Sequence, residues 1–122
     1  MENRLMDVTR ALMRLRAPFC QGEYDLHALA AGALREAGIP FLHEVRLAPR
    51  CRIDFLADTV GIEVKKGKPE RRQLLRQLER YAGSPRIESL VVLVERAADL
   101  PGEILGKPCV TLSINRLWGI AL

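Results

Sequence analysis

The sequence predicts an α/β fold, a central mixed β-sheet flanked by helices, over one domain of 122 residues. Three observations carry this. Leu5, Val8, Leu12 and Leu15 recur at helical spacing near the N-terminus, and an Ala- and Leu-rich stretch follows. Arg52–Ala57 and Val60–Lys65 then alternate apolar and polar residues at period two, the pattern of half-buried strands. Finally, Ser89-Leu-Val-Val-Leu-Val-Glu95 is an almost unbroken apolar run, as expected of a strand covered on both faces.

In chain order, Leu5, Val8, Leu12 and Leu15 form one stripe through residues 2–16, and Pro18 ends that helix. A second helix is expected from about Glu23 to Ala37, with Gly38 as its C′ residue and Pro40 beyond. Strands should follow at Phe41–Leu47, Arg52–Ala57 and Val60–Lys65, with Pro49 and Arg50 in the first connection. Pro69 opens a third helix that runs to about Ala82, stopped by Gly83-Ser-Pro85. Its core stripe is Leu74, Leu75, Leu78 and Ala82. The connection from Val60–Lys65 through this helix to Leu90–Val94 should be a right-handed crossover joining parallel strands. A short turn near Pro101–Leu105 precedes a last strand at Cys109–Ile114. The order is α-α-β-β-β-α-β-β, with an N-terminal helix within 1–17 and a core over 23–114.

Composition narrows the class. No apolar run approaches the roughly 20 residues of a membrane span, and the N-terminus lacks the layout of a signal peptide, so a cytoplasmic protein is expected. Cys20, Cys51 and Cys109 fit no metal or disulfide spacing and read as reduced, packed thiols. The net charge of +4 is unevenly spread. Residues 65–86 carry eight Lys/Arg against two Glu, while residues 1–64 and 87–122 each sum to −1. A concentrated basic patch is the usual electrostatic footprint of nucleic-acid binding; its plainer alternative is a solvated helix face.

The patch begins where Arg52-Ile-Asp-Phe-Leu-Ala57 and Val60-Gly-Ile-Glu-Val-Lys65 form a hairpin around Asp58-Thr59. A two-residue turn there sets Ala57 opposite Val60, Asp54 opposite Glu63 and Arg52 opposite Lys65. Directly opposed residues share a face with Cβ atoms about 4.5–5.5 Å apart. Two carboxylates so placed repel and call for a cation, and Mg²⁺ is typically held by one or two carboxylates while keeping several waters. A lysine beside a divalent ion suggests phosphodiester chemistry. The plainer alternative is a surface ladder in which Lys65 pairs with Glu63 or Asp54. Period-two alternation puts Lys65 on the face of Glu63, with Ile62 and Val64 turned into the core.

Ile53-Asp54, Glu63-Val64-Lys65 and Gln77-Leu-Glu-Arg-Tyr81 together resemble the catalytic core of the PD-(D/E)xK nuclease superfamily, the restriction-endonuclease-like group that includes RecB-type nucleases and Holliday-junction resolvases. The resemblance spans roughly Glu23 to Val94 and implies an α-β-β-β-α-β core. It implies that Asp54, Glu63 and the Val64 carbonyl bind Mg²⁺, with Mn²⁺ as a substitute, and that Lys65 orients or deprotonates the attacking water. Gln77 and Tyr81, one helical turn apart, match the Q-x₃-Y element and would reach the same site. Ile53 stands where the family usually has Pro. A helix-borne acid near the metal is assigned to Glu23, with Glu36 and Glu44 as alternatives. His27 and His43 read as helix-face and strand residues, and Trp118 as a packing residue.

Lys66, Lys68, Arg72, Arg76 and Arg80 are the expected DNA-phosphate contacts; the last three form an i, i+4, i+8 row whose mutual repulsion a phosphate backbone would relieve. The function expected is a divalent-metal-dependent deoxyribonuclease. With nearly all of the chain in the core, cutting is expected to be directed by DNA structure, a homodimer or a protein partner rather than by sequence. The alternative is a non-catalytic nucleic-acid-binding or structural module that keeps the fold.

Overall fold

The computed structural model describes residues 3–15 and 25–114. Pro18, Cys20, Glu23 and Trp118 lie outside the described residues. Three helices, α1 (Arg4–Met13), α2 (Leu26–Glu36) and α3 (Arg71–Ala82), flank six strands, β1 (Leu42–Ala48), β2 (Cys51–Ala57), β3 (Val60–Lys65), β4 (Ser89–Val94), β5 (Glu103–Ile104) and β6 (Lys107–Ser113). The sheet order is β1-β2-β3-β4-β6-β5. The pairs β1/β2, β2/β3 and β5/β6 are antiparallel, whereas β3/β4 and β4/β6 are parallel. The fold is therefore α/β with a mixed sheet, and β3-α3-β4 joins parallel strands as expected.

Each helix starts on a side-chain cap. Asn3 accepts the Met6 N–H, Asp25 those of His27 and Ala28, and Glu70 those of Arg72 and Gln73, the Asn3 and Asp25 caps each worth about 1 kcal/mol. Gly38 ends α2 at φ +73, the left-handed C′ position foreseen for it. The stretch read as a turn near Pro101–Leu105 instead holds β5, because Glu103 and Ile104 pair with Pro108 and Lys107 across a turn at Leu105-Gly106.

The sheet is covered on both sides. One cluster joins α1 and α2 to Phe55, Ile62, Val64, Val91 and Leu93. The other joins α3 to Ile53, Leu90, Val92 and Val94. All six residues of β4 are buried, explaining its unbroken apolar run. On α3 the buried stripe is Leu74, Leu78, Tyr81 and Ala82; Leu75 is only partly covered and Tyr81 takes its expected place.

The middle of β1 and β2 departs from simple alternation. Ile53 belongs to the α3-side cluster and Phe55 to the α2-side cluster, although two residues apart should share a face. Opposite them, Val45 packs with Ile53's cluster while His43 stacks on Phe55 at 4.6 Å. The register around the break is intact, His43 with Phe55 and Val45 with Ile53. Both strands thus roll over together at the Glu44/Asp54 level, and Glu44 takes φ +55 to do so.

Candidate functional site at a split hairpin

The β2–β3 ladder pairs Ala57 with Val60, Leu56 with Gly61 and Phe55 with Ile62, in the register expected from the Asp58-Thr59 turn. Asp58 carries φ +54, tolerable for Asp in a tight turn, and Arg4 Nε holds its carboxylate from α1 at 2.7 Å. The ladder then stops one pair short of Asp54/Glu63. The expected direct opposition of Asp54 with Glu63 and of Arg52 with Lys65 is not part of the paired region, because β2 rolls at Asp54 and leaves β3. Asp54 bridges the opening with its side chain: Oδ2 accepts the Val64 N–H at 2.8 Å. A carboxylate oxygen here does what a backbone carbonyl does in a closed hairpin.

The orientation of Val64 follows. The Lys65 carbonyl accepts the Glu95 N–H on the β4 side at 3.0 Å. Peptide groups alternate direction along a strand, so the N–H and C=O of Val64 both point toward β2. Its carbonyl therefore faces the gap in which Asp54 lies.

Glu63 is only 3 % exposed and projects toward α3. Lys65 Nζ lies 3.1 Å from its Oε2, and the Tyr81 hydroxyl lies 3.0 Å from its Oε1 and 2.9 Å from the Arg52 carbonyl oxygen. A phenol has one proton. With Glu63 ionised, two acceptors share it; with Glu63 protonated, the carboxyl donates to the phenol oxygen and the phenol donates to Arg52. Burial, and then the Asp54 charge, push the Glu63 carboxyl up from 4.5 to about 7, against the opposing pull of Lys65 and Tyr81. Burial followed by the Glu63 charge pushes the Tyr81 hydroxyl upward as well, keeping it a neutral donor. By its spacing beside the Leu74/Leu78/Ala82 stripe, Tyr81 reads as a residue at the margin of the core. It is fully buried instead and fastens α3 to both diverging strands.

The donors suit a hard divalent ion. Asp54, Glu63 and the Val64 carbonyl are all oxygens, and the two carboxylates interact electrostatically in a buried setting that raises the cost of their joint charge. Among the described residues no three His, Cys, Asp or Glu side chains form a metal cage, so an ion here would rest on two carboxylates and keep water on its remaining positions. Glu23, the expected helix-borne acid, lies outside the described residues. Glu36 lines a groove between α1 and α2. Glu44 is solvent-exposed on the edge strand, 4.0 Å from Arg52 Nη1.

His27 is the neighbour that the sequence reading missed. Its Nε2 lies 3.9 Å from Asp54 Oδ2, approaching from α2 opposite Lys65's side of the sheet. The available signal was positional: His27 precedes buried Ala31 by one turn, which turns it toward the sheet rather than the solvent.

Lys65, Lys66, Gln73, Gln77 and Arg80 share a cavity of about 380 Å³ between the β3–α3 connection and α3. Arg76 and Arg80 border a second, shallow one with Gln73 and Gln77. Arg72 and Lys68 are exposed but line neither. The stripe of α3 that meets the site is therefore Gln73, Gln77 and Arg80, not the whole Arg72-Arg76-Arg80 row. Cys51 and Cys109 are buried free thiols, and burial pushes Cys109 up to about 11. No helix among the described residues is long and apolar enough to cross a membrane. No family model, curated protein or solved structure matches this chain, so the chemistry of the site rests on its own geometry.

Proposed function

We propose that the protein is a divalent-metal-dependent nuclease of the PD-(D/E)xK type that hydrolyses DNA phosphodiester bonds. One observation carries this reading: the central hairpin opens at Asp54 and Glu63, and the opening gathers their two carboxylates, the Val64 carbonyl on the β2 side and the Lys65 ammonium group.

Asp54, Glu63 and the Val64 carbonyl would hold the ion, which when bound supplies charge stabilisation and a more acidic water. Lys65 would orient the attacking water and offset the charge that gathers on the phosphoryl oxygens as the new P–O bond forms and the old one breaks. Tyr81 fixes the Glu63 carboxylate, and through the Arg52 carbonyl it fixes β2 as well. Arg80, Arg76, Lys66 and Lys68 would draw in the phosphate backbone without reading sequence. Phosphate contacts carry no sequence information of their own, which favours direction by DNA structure, a second copy or a partner.

The test is a cleavage assay on linear, nicked, branched and single-stranded DNA, with RNA alongside, in Mg²⁺, Mn²⁺ or EDTA. Cleavage that needs the metal and disappears in Asp54→Asn is the expected result. Binding without cutting in every metal would leave the non-catalytic module as the correct reading.

A further inference from the structure

The cavity beside Lys65 has a shape that simple phosphate contacts do not require. A backbone phosphate needs only an exposed cation. Here an open-sided cavity of about 380 Å³ lies between the β3–α3 connection and α3, of the size that takes small ligands. Its cations are Lys66 on the connection and Arg80 on α3, with Lys65 joining it to the hairpin site. Pro69 and Leu74 give it an apolar side. Gln73 and Gln77 stand one turn apart along the helical wall, so their amides present donors and acceptors toward the same space. Glu70, the one acid lining it among the described residues, is engaged by the α3 N-terminus through the N–H groups of Arg72 and Gln73.

Charged groups for a phosphate, an apolar wall for a sugar or ring, and amides for a base edge are the parts of a nucleotide subsite. We propose that this cavity receives one unpaired nucleotide of the substrate strand, adjacent to the phosphate that is cut, with Lys66 and Arg80 on its phosphate and Gln73 on its base. The proposal rests on the nuclease reading for its location and names the substrate class: a strand that is single or opened at the cut. A base still paired in a duplex cannot turn its pairing edge into a pocket on one helix, and opening a pair costs a few kcal/mol. Gln73 is the specificity-determining residue, because amide side chains pair bidentately with base edges.

The experiment measures binding of a fluorescent single-stranded oligonucleotide and its blunt duplex by anisotropy in EDTA, then cutting of both in Mn²⁺. The full chain is compared with Gln73→Ala, Gln73→Glu and the Lys66→Ala/Arg80→Gln double variant, each checked for native circular dichroism. Single strands should bind roughly tenfold or more tightly than duplex. Gln73→Ala should erase a roughly tenfold base preference at one position beside the cut, and Gln73→Glu should weaken single-strand binding by repelling phosphate. Equal affinity for the two forms, or an unchanged base preference in Gln73→Ala, overturns the subsite. Strand-selective binding without any metal-dependent cutting supports the subsite while overturning the nuclease reading; cutting without strand selectivity does the reverse.

Discussion

Glu63→Gln should stabilise the metal-free protein above neutral pH, even though it removes a group central to the site. The carboxyl is buried, and its folded-state value of about 7 lies above the 4.5 of an exposed group. Between those two values the native state holds a proton that the unfolded state has released. Stability therefore falls as pH rises through this window and levels off above it. A gap of this size corresponds to about 3 kcal/mol, a large share of the roughly 5–15 kcal/mol by which domains are stable. Glutamine keeps the shape and an acceptor for Tyr81 but never acquires the charge. Urea unfolding in EDTA at about pH 5 and about pH 8 measures the effect. Wild type should lose about 2–3 kcal/mol relative to Glu63→Gln between the two conditions, since part of the full gap has already gone by pH 5. Adding Mg²⁺ at the higher pH should restore stability to wild type by about 2.7 kcal/mol at a hundredfold excess over its dissociation constant, and should do far less for the variant. A stability difference that stays constant with pH would refute the claim that burial beside Asp54 sets the state of this carboxyl.

Lys65→Ala should reduce cleavage below detection while circular dichroism and DNA affinity change little, since Lys65 is a partly exposed side chain whose described ion pair is with Glu63; turnover near the wild-type rate would remove it from the chemistry. Arg80→Gln should flatten the dependence of log affinity on log salt by about 0.7–0.9 per lost phosphate contact, and Arg72→Gln by less; equal effects would restore the full arginine row as the contact surface. Glu44→Gly should be neutral or stabilising by up to about 1 kcal/mol, because φ +55 suits glycine; a loss of that size in thermal unfolding would mean an ordinary extended strand at this position. Gly61→Ala should cost about 1–3 kcal/mol, since a Cβ there would sit 2.5 Å from Ile53 Cδ1 and 2.8 Å from Ile87 Cδ1; unchanged unfolding would show that these side chains give way freely.

Much of the fold was legible because its signals are local. Periodicity marked α1 and α3, the Gly38 stop marked the end of α2, and the apolar run marked β4. The turn register of β2 and β3 also followed from two residues, Asp58 and Thr59. What alternation could not reveal was the roll at Asp54. A period-two reading assigns Ile53 and Phe55 to one face, whereas Phe55-Leu56-Ala57, three apolar residues in a row, held the clue that both faces are covered there. Glu103–Ile104 was too short to show a period at all. At the candidate site, Asp54, Glu63 and Lys65 were visible as residue types at a spacing. The burial of Tyr81, its link to Arg52 and the approach of His27 are long-range facts that depend on how helices seat on the sheet. The row of arginines looked continuous in one dimension, yet helical drift of four-residue steps carries Arg72 away from the cleft that Arg80 enters.

The bond from Val64 N–H to Asp54 Oδ2 gives the protein a built-in reporter. A main-chain amide that donates to a backbone carbonyl senses only strand pairing. This one donates to a carboxylate, so its proton resonance must move with any change of charge at Asp54, whether by an arriving ion, a bound phosphate or an amide substitution. Asp54→Asn retains an oxygen for the same N–H and can separate loss of charge from loss of the bond. One backbone resonance, observed during a Mg²⁺ titration, therefore follows occupancy of the opening without a substrate, a label or turnover.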